Sequence, residues 1–371
     1  MNKRVAYRIL IGGGGTGGHV FPAIAIADAL KEKYPGSEFL FVGALGKLEM
    51  EKVPEAGYAI EGLPVAGFQR RLTLKNISFF YKLVSSLLIS RRIVRRFKPD
   101  VAVGVGGYAS GPILKAAARR GISILIQEQN SYAGVTNRLL ARSARSICVA
   151  YEGMERYFPE DRLHLTGNPI RQHLVVSPVD RRAGLKEFEL DPGKKTCMVV
   201  GGSLGARTLN RSLQSGLEKL NREDYQVIWQ CGKNNHEEIR ELVEASGLKN
   251  IRLLPFISRM ECAYAAADVI ISRAGAISIS ELCVIGKPVI LVPSPNVAED
   301  HQTRNAEALS HRNAAIMIAD REAEEKLVDS MLELLEDEKR QQELSDNIRK
   351  LGISDAAERI AAEVTKLMET L

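Results

Sequence analysis

Cysteine is scarce in this sequence, and the arrangement of its thiols excludes two kinds of site. Five cysteines are spread along the chain with no C-x-x-C pair among them: Cys148, Cys197, Cys231, Cys262 and Cys283. An odd number of widely spaced thiols argues against a disulfide framework, and the missing pairs argue against a zinc site. We expect buried thiols in a protein of a reducing compartment.

Long apolar runs are absent as well. No stretch approaches the roughly 20 apolar residues that a membrane-spanning helix needs. Lys3, Arg4 and Arg8 precede an apolar run, but that run is much shorter than the core of a signal peptide and glycines interrupt it. The sequence therefore predicts a protein that is soluble or lies on a membrane without crossing it.

Apolar residues are nevertheless numerous enough for two ordinary domains. The chain has 371 residues, of which 45% are hydrophobic, and a formal net charge of +6. The positive balance suits an anionic partner, but it does not distinguish a nucleic acid from a phospholipid or a phosphorylated substrate.

Short apolar runs alternate with helical patterns throughout the first half. Strands are predicted at residues 9–11, 39–42, 101–105 and 122–126. Such alternation predicts parallel βαβ units, whose ligands bind at the carboxyl ends of the strands. We therefore expect the polar loops after Ile11, Val105 and Ile126 to converge on one rim.

The periodicity lapses around residues 167–171, and we place a domain boundary there. The second half restarts as the first does, with a strand at 196–200, a glycine-rich loop at 201–205 and a helix that carries Arg207. This repetition predicts a duplicated nucleotide-binding type of architecture. Further strands are predicted near residues 225–229, 251–254, 268–271 and 288–292, and the tail from Arg321 is predicted to be helical.

The glycine-rich run Gly12–His19 lies between a predicted strand and a predicted helix. Its backbone N–H groups and the positive end of the helix dipole favour phosphate. Its spacing fits the dinucleotide fingerprint of nicotinamide or flavin enzymes, but the next strand runs into Gly43–Leu45 with no carboxylate for a ribose. Thr16 and His19 add a hydroxyl and a titratable ring, which a dinucleotide site does not need. A nicotinamide-dependent oxidoreductase stays open as an alternative.

Two polar stretches of the second half indicate a nucleotide-sugar site. In Ser272–Glu281 a strand leads into a helix, and Glu281 in its first turns can accept hydrogen bonds from two ribose hydroxyls. An equal alternative is that Glu281 only stabilises the helix N-terminus. Residues 299–305 are either a solvated helix cap or a site, and their place after the next strand favours a site on the same rim.

Seven motifs together are similar to those of the MurG family of peptidoglycan glycosyltransferases. They are Gly-Gly-Thr-Gly-Gly-His at 14–19, Gly-Gly-Tyr-Ala-Ser-Gly-Pro at 106–112, Glu-Gln-Asn at 128–130, Gly-Asn-Pro-Ile-Arg at 167–171, Gly-Gly-Ser-Leu-Gly-Ala-Arg at 201–207, the stretch 273–281 and Asp-His-Gln at 300–302. The motifs follow the family's order and spacing over nearly the whole chain. Some members carry two glutamines at the last motif, a difference that leaves Gln302 in place.

The resemblance implies transfer of N-acetylglucosamine from its UDP donor to lipid I, which gives lipid II. It implies an α/β GT-B fold, with two Rossmann-like domains whose parallel sheets face a cleft. Residues 1–170 would form the acceptor and membrane-associated domain, and residues 171–351 the UDP-N-acetylglucosamine domain. We expect the helix of about 352–371 to pack back onto the first domain. Neither a cofactor nor a metal is expected. Many glycosyltransferases hold a metal with an Asp-x-Asp motif, and no two aspartates of this sequence are separated by one residue.

Site residues are carried over from the family by position. The uracil would meet the backbone of Phe256–Ile257, the ribose would meet Glu281, and the phosphates would meet Ser203 and Arg171. The remaining positions of the donor site are Thr16, Gly17, Gly18, Asn130, Ala276, Ile277, Ser278, Ile279, Ser280 and Gln302. Those of the acceptor site are Gly14, Gly15, Gly106, Gly107 and Tyr108.

Three residues are the candidates for catalysis: His19, Glu128 and Asn130. A helix N-terminus disfavours imidazolium, so His19 would stay neutral and able to take the proton of a sugar hydroxyl. Glu128 is the rival base. The charge of the leaving UDP would be balanced by Arg171 and by the helix N-terminus at Ser203. A nucleotide-sugar-binding regulator without catalysis is a further alternative.

A helical stripe of apolar side chains runs from Leu74 to Leu88 and is flanked by arginine and lysine on both sides. One interpretation is a helix that faces the core. Aromatic and aliphatic bulk beside cations also suits an interfacial anchor, and a lipid-linked acceptor requires such a contact. We expect residues 74–98 to attach the protein peripherally to the cytoplasmic face of the plasma membrane, and we expect no nucleic acid partner.

Overall fold

The computed structural model describes residues 6–65, 75–176, 179–202, 204–297 and 300–369. The chain divides into two compact units, one of residues 1–170 with 354–371 and the other of residues 171–353. Ser203 and Glu299, both of interest from the sequence, lie outside the described residues.

The first unit contains a sheet of seven parallel strands in the order β3-β2-β1-β4-β5-β6-β7. Its strands are β1 (Arg8–Gly12), β2 (Glu38–Ala44), β3 (Ala59–Leu63), β4 (Val101–Gly104), β5 (Ser123–Glu128), β6 (Ser146–Val149) and β7 (Leu163–Leu165). The helices between them are α1 (Gly17–Lys33), α2 (Glu49–Glu55), α3 (Lys75–Phe97), α4 (Ser110–Ala118) and α5 (Val135–Leu140).

The second unit contains a sheet of six parallel strands in the order β10-β9-β8-β11-β12-β13. Its strands are β8 (Lys195–Val200), β9 (Tyr225–Gln230), β10 (Ile251–Leu254), β11 (Val269–Ser272), β12 (Val289–Leu291) and β13 (Ile316–Met317). Its helices are α6 (His173–Val176), α7 (Arg181–Glu187), α8 (Arg207–Ser215), α9 (His236–Ser246), α10 (Met260–Ala266), α11 (Ala276–Ile285), α12 (His301–Ser310), α13 (Ala323–Glu336) and α14 (Glu338–Arg349).

Both sheets reverse their strand order beside the first strand, as doubly wound folds do. In the first unit the reversal lies between β1 and β4, and in the second between β8 and β11. Ligands of such folds bind outside the carboxyl ends of the strands at this point. The fold therefore directs attention to the loops after these four strands.

The central strands of the first sheet, such as β1, are apolar on both faces because helices cover both. Ile9 and Ile11 belong to one cluster with α1, whereas Leu10 belongs to another with Ile113 and Leu114 of α4. Continuous apolar runs are the sequence signature of such doubly covered parallel strands.

The last helix, α15 (Ala356–Glu369), packs within the first unit. Ile360, Val364 and Met368 belong to the same cluster as Ile9 and α1. Lys33 of α1 also donates a hydrogen bond to Thr365 at 3.2 Å. The chain therefore returns to its first unit after completing the second.

Candidate active site

The loops after β1 and β4 pack backbone against backbone at the reversal point of the first sheet. Val105 donates its N–H to the carbonyl of Gly12 at 3.0 Å. A Cβ placed on Gly107 would lie 2.2 Å from the carbonyl oxygen of Gly14, and Gly107 has φ +82°. Only glycine fits this approach and this dihedral angle. The two glycine motifs therefore build one surface.

His19 lies on this surface, in the first turn of α1. Its Nδ1 is 3.1 Å from the hydroxyl oxygen of Thr16, the N-cap of the helix. Its Nε2 would be 2.9 Å from a Cβ on Gly106. Thr16 therefore orients the ring through one nitrogen, and the ring packs across the glycine loop after β4.

The loop after β5 joins the same surface through buried amides. Gln129 donates from Nε2 to the carbonyl of Val105 at 2.8 Å, and Asn168 donates from Nδ2 to the carbonyl of Gln129 at 3.0 Å. Gln127 donates to Asn168 Oδ1 at 2.8 Å. The expected convergence of three loops is confirmed. Sequence analysis missed Gln127 and Asn168 as supports, although a polar residue at the end of a buried strand signals such a role.

Glu128, the rival base, is buried and accepts hydrogen bonds from four donors. These are the N–H and the Nδ2 of Asn130 at 3.1 and 3.3 Å, the N–H of Gly134 at 3.0 Å, and Nδ2 of Asn137 at 2.9 Å. Burial raises the pKa of Glu128, and these hydrogen bonds act in the opposite direction. The carboxylate holds the loop that carries Asn130.

A further carboxylate, Glu49, was missed in the sequence. It is 1% exposed, and its two oxygens accept the N–H groups of Gly15 and Ala44, each at 2.8 Å. The expectation that this glycine loop offers free N–H groups to phosphate is therefore wrong at Gly15. Glu49 escaped notice because it follows β2 by five residues and begins a helix, where acidic residues are common.

In the second unit, Arg171 and Glu281 form an ion pair. The guanidinium meets the carboxylate through Nε–Oε1 and Nη2–Oε2, both at 2.6 Å, and the hydroxyl of Tyr264 donates to Oε2 at 3.2 Å. Glu281 is 1% exposed. Burial alone lowers the pKa of Arg171, and Glu281 reverses this, so that the pKa lies above its ordinary value. Burial, followed by the charge of Glu281, raises the pKa of Tyr264.

Gln302 lies near the start of α12 and accepts the N–H of Ser294 at 2.9 Å. Asn305 of the same helix donates to the carbonyl of Ala274, in the loop that precedes α11, at 3.4 Å. The polar stretches after β11 and β12 are therefore joined. Between them, Ser280 donates to the carbonyl of Ala276 within α11 at 3.1 Å.

Gln230, at the end of β9, is a second support that sequence analysis missed. Its Nε2 donates to the carbonyl of Gly202 at 2.7 Å and to that of Pro255 at 3.5 Å. It thereby links the glycine loop after β8 to the residues just before Phe256 and Ile257. Ile257 is buried, whereas Phe256 is 50% exposed.

Comparison with known proteins decides between the possible uses of these two sites. Residues 9–149 match the model of the glycosyltransferase family 28 N-terminal domain, and residues 196–360 match that of the family 28 C-terminal domain. The chain belongs to glycosyltransferase family 28.

Curated relatives of this chain match over nearly their whole length. The protein of Parabacteroides distasonis is 55% identical over 98% of this chain and 99% of its own, and that of Phocaeicola vulgatus is 57% identical over 98% and 96%. Each is named UDP-N-acetylglucosamine--N-acetylmuramyl-(pentapeptide) pyrophosphoryl-undecaprenol N-acetylglucosamine transferase. The crystal structure of MurG from Acinetobacter baumannii, at 29% identity, matches with a TM-score of 0.79 over 97% of this chain and 99% of its own.

This similarity to family models, curated relatives and a MurG structure confirms the resemblance found in the motifs, the GT-B fold and the assignment as an N-acetylglucosaminyltransferase. It disfavours both the oxidoreductase and the inactive regulator. No helix in the part of the chain that the structure describes combines the length and apolar character needed to cross a bilayer.

Proposed function

We propose that this enzyme transfers N-acetylglucosamine from UDP-N-acetylglucosamine to the C4 hydroxyl of undecaprenyl-pyrophosphoryl-N-acetylmuramyl-pentapeptide, lipid I, with inversion at the anomeric carbon. The hydroxyl oxygen forms the new bond to C1 as the bond from C1 to the UDP oxygen breaks. The hydroxyl proton passes to a base, and UDP leaves with the electron pair.

The observation that carries this proposal is the Arg171–Glu281 pair. One unit holds a buried carboxylate suited to two vicinal ribose hydroxyls and, 2.6 Å from it, a cation suited to a diphosphate. When the donor binds, the ribose takes over the carboxylate and Arg171 turns to the phosphates. The charge that develops on the leaving UDP is then met by a fixed cation. We assign Phe256 and Ile257 to the same donor site, as the contact for uracil.

We propose His19 as the base and Glu128 as a positioning residue. His19 is only partly buried, its Nδ1 lies 3.1 Å from the hydroxyl oxygen of Thr16, and imidazole is the side chain that exchanges a proton near neutral pH. Glu128 already accepts four hydrogen bonds, so its lone pairs are engaged. By holding both donors of Asn130 on one oxygen, Glu128 fixes that amide for contact with a sugar.

We also propose that α3 attaches the enzyme to the cytoplasmic face of the membrane, where the acceptor is anchored. Tyr81, Val84 and Leu88 are 77%, 56% and 57% exposed and lie along one side of the helix. Arg91, Arg92 and Arg95 are exposed beyond them, while Ser86, Ser90, Ile93 and Val94 are buried. An exposed apolar row beside cations favours an anionic bilayer surface. A core-facing role does not account for these three apolar side chains.

The decisive experiment is turnover of labelled UDP-N-acetylglucosamine with a short-chain lipid I analogue. We expect a disaccharide product with a β linkage and one UDP released per transfer. A screen of melting temperatures provides an independent check, because a ligand that binds the native state raises the melting temperature. Stabilisation by NAD(P) and none by UDP would refute the proposal.

A further inference from the structure

Glu49 is a buried carboxylate whose charge no step of the proposed reaction uses. Each of its oxygens accepts one backbone N–H, from Gly15 before α1 and from Ala44 at the end of β2. A Cβ on Gly14 would lie 2.1 Å from its Oε1, so the carboxylate fills the space beside the glycine loop. Within the described residues, no lysine or arginine forms a salt bridge with it.

This carboxylate accepts the Gly15 N–H, one of the backbone donors that a glycine loop of this kind can offer to a phosphate. A glycine-rich turn into a helix N-terminus favours an anion through its N–H groups and the helix dipole. Here the Gly15 N–H, one residue before the N-cap Thr16, points at a carboxylate of the protein itself. A phosphate brought to this point would meet a buried negative charge in place of a free donor.

Resting on the proposed function, we infer that Glu49 is a positioning and specificity residue for the acceptor. Its carboxylate fills the anion site of the first glycine loop, which fixes Thr16 and His19. It also reserves the loop for the uncharged sugar of the acceptor and keeps the diphosphate away from the Gly15 N–H. A glutamine could not replace it, because an amide has one acceptor oxygen for the two N–H groups.

The test is the variant Glu49→Ala, with Glu51→Ala as the matched control from the exposed side of the same helix. We expect kcat for Glu49→Ala to fall roughly 100-fold, as a misplaced catalytic group implies. The donor KM and the stabilisation by UDP should stay unchanged. Formate should restore turnover, whereas formamide, which is neutral and of similar size, should not. Inorganic phosphate should inhibit this variant in competition with the acceptor, and it should leave the wild type unaffected.

Two results would overturn the inference: turnover at the wild-type rate, or a folded variant that formate neither activates nor stabilises. Stabilisation by formate is measured as a rise in the melting temperature of Glu49→Ala. This measurement tests the role of the Glu49 carboxylate even if the wild type transfers no sugar. A wild type without transferase activity would refute only the proposed function. If Glu49→Ala does not fold, Glu49→Gln replaces it. For Glu49→Gln we then expect a lower kcat at an unchanged donor KM. A fall in kcat together with an equal rise in the donor KM would contradict the inference.

Discussion

The guanidinium of Arg171 covers both carboxylate oxygens of Glu281, the residue expected to bind the ribose. Two contacts of 2.6 Å and the Tyr264 hydroxyl at 3.2 Å give each oxygen of this carboxylate at least one donor from within the unit. On the proposed function, the ribose of the donor would replace Arg171 as the partner of Glu281. The free enzyme is protected from an unpaired buried charge, which would be costly.

Arg171→Ala tests this exchange. We expect a loss of about 2–4 kcal/mol in transition-state stabilisation, as for removal of an oxyanion donor, measured as the change in kcat/KM for the donor. Added magnesium should not restore the activity. Tyr264→Phe is the control, because it removes a donor to Glu281 but leaves the ion pair. Full rescue by magnesium would show that Arg171 is not the counter-charge of UDP.

Glu281→Gln should weaken donor binding without changing the acceptor KM. The substitution removes the charge that Arg171 faces and leaves only one acceptor oxygen for the two ribose hydroxyls. We expect a loss of about 1–3 kcal/mol in affinity for UDP, measured by calorimetry. Ser246→Ala, in α9 of the same unit, should retain wild-type affinity, because that hydroxyl donates only to a carbonyl of its own helix and lies outside the predicted site. An unchanged affinity of Glu281→Gln for UDP would exclude Glu281 from the ribose site.

His19→Ala should lower kcat by about 10²–10⁴-fold, the range for loss of a general base. Binding of UDP, followed by calorimetry, should change little because His19 belongs to the other unit. Glu128→Gln is the informative comparison. An amide there places N–H against the Asn137 donor, so we expect a lower melting temperature as well as lower activity. If UDP affinity falls in step with kcat in His19→Ala, the assignment of the base is wrong.

Replacing Arg91, Arg92 and Arg95 with glutamate should abolish co-sedimentation with anionic vesicles, since each cation near such a surface contributes about 1 kcal/mol. Transfer to a soluble short-chain acceptor should persist. Arg96 is left unchanged because it forms an ion pair with Glu61. The triple change of Lys249, Arg321 and Lys339 to glutamate, in the second unit, alters the net charge equally. Equal loss of binding in both variants would point to net charge rather than to α3.

Alkaline pH should destabilise the fold through its buried thiols. Burial raises the pKa of Cys148 and Cys283 from 9.0 to about 12. In the unfolded chain these thiols ionise first, so the stability they contribute is complete below pH 9 and falls as the pH rises toward 12. We expect the free energy of unfolding in urea to be flat up to pH 9 and then to decrease. Cys283→Ala should reduce the decrease in the free energy of unfolding above pH 9. An unchanged decrease would contradict the contribution of this thiol.

Sequence patterns predicted most of the strands but missed β3, β6, β7 and β13. β3 and β7 are edge strands with mostly half-buried or exposed residues, so neither alternation nor a continuous run marks them. β6 is fully buried, but four residues are too few to display a period. An edge strand is stabilised by pairing with the adjacent strand of the sheet, and this pairing cannot be seen in the local sequence pattern.

The candidate site was predicted in part for a similar reason. Glycine motifs can be recognised in the sequence, because few other residues tolerate such close backbone approach. Residues that become partners only after folding cannot be recognised in this way. Arg171 and Glu281 are 110 residues apart, and Gly15 and Glu49 are 34 apart, so no spacing rule joins either pair. The motifs therefore located the site, while its electrostatics became visible only in the fold.

The packing of α15 against α1 makes the core of the first unit depend on a helix that follows the whole second unit in the chain. A ribosome delivers residues 1–170 first, and such domains usually begin to fold as they emerge. Here Ile9 and the inner side of α1 share a core cluster with Ile360, Val364 and Met368, which are synthesised only after the second unit. The unit that is translated first therefore completes its core only after the second unit has been made.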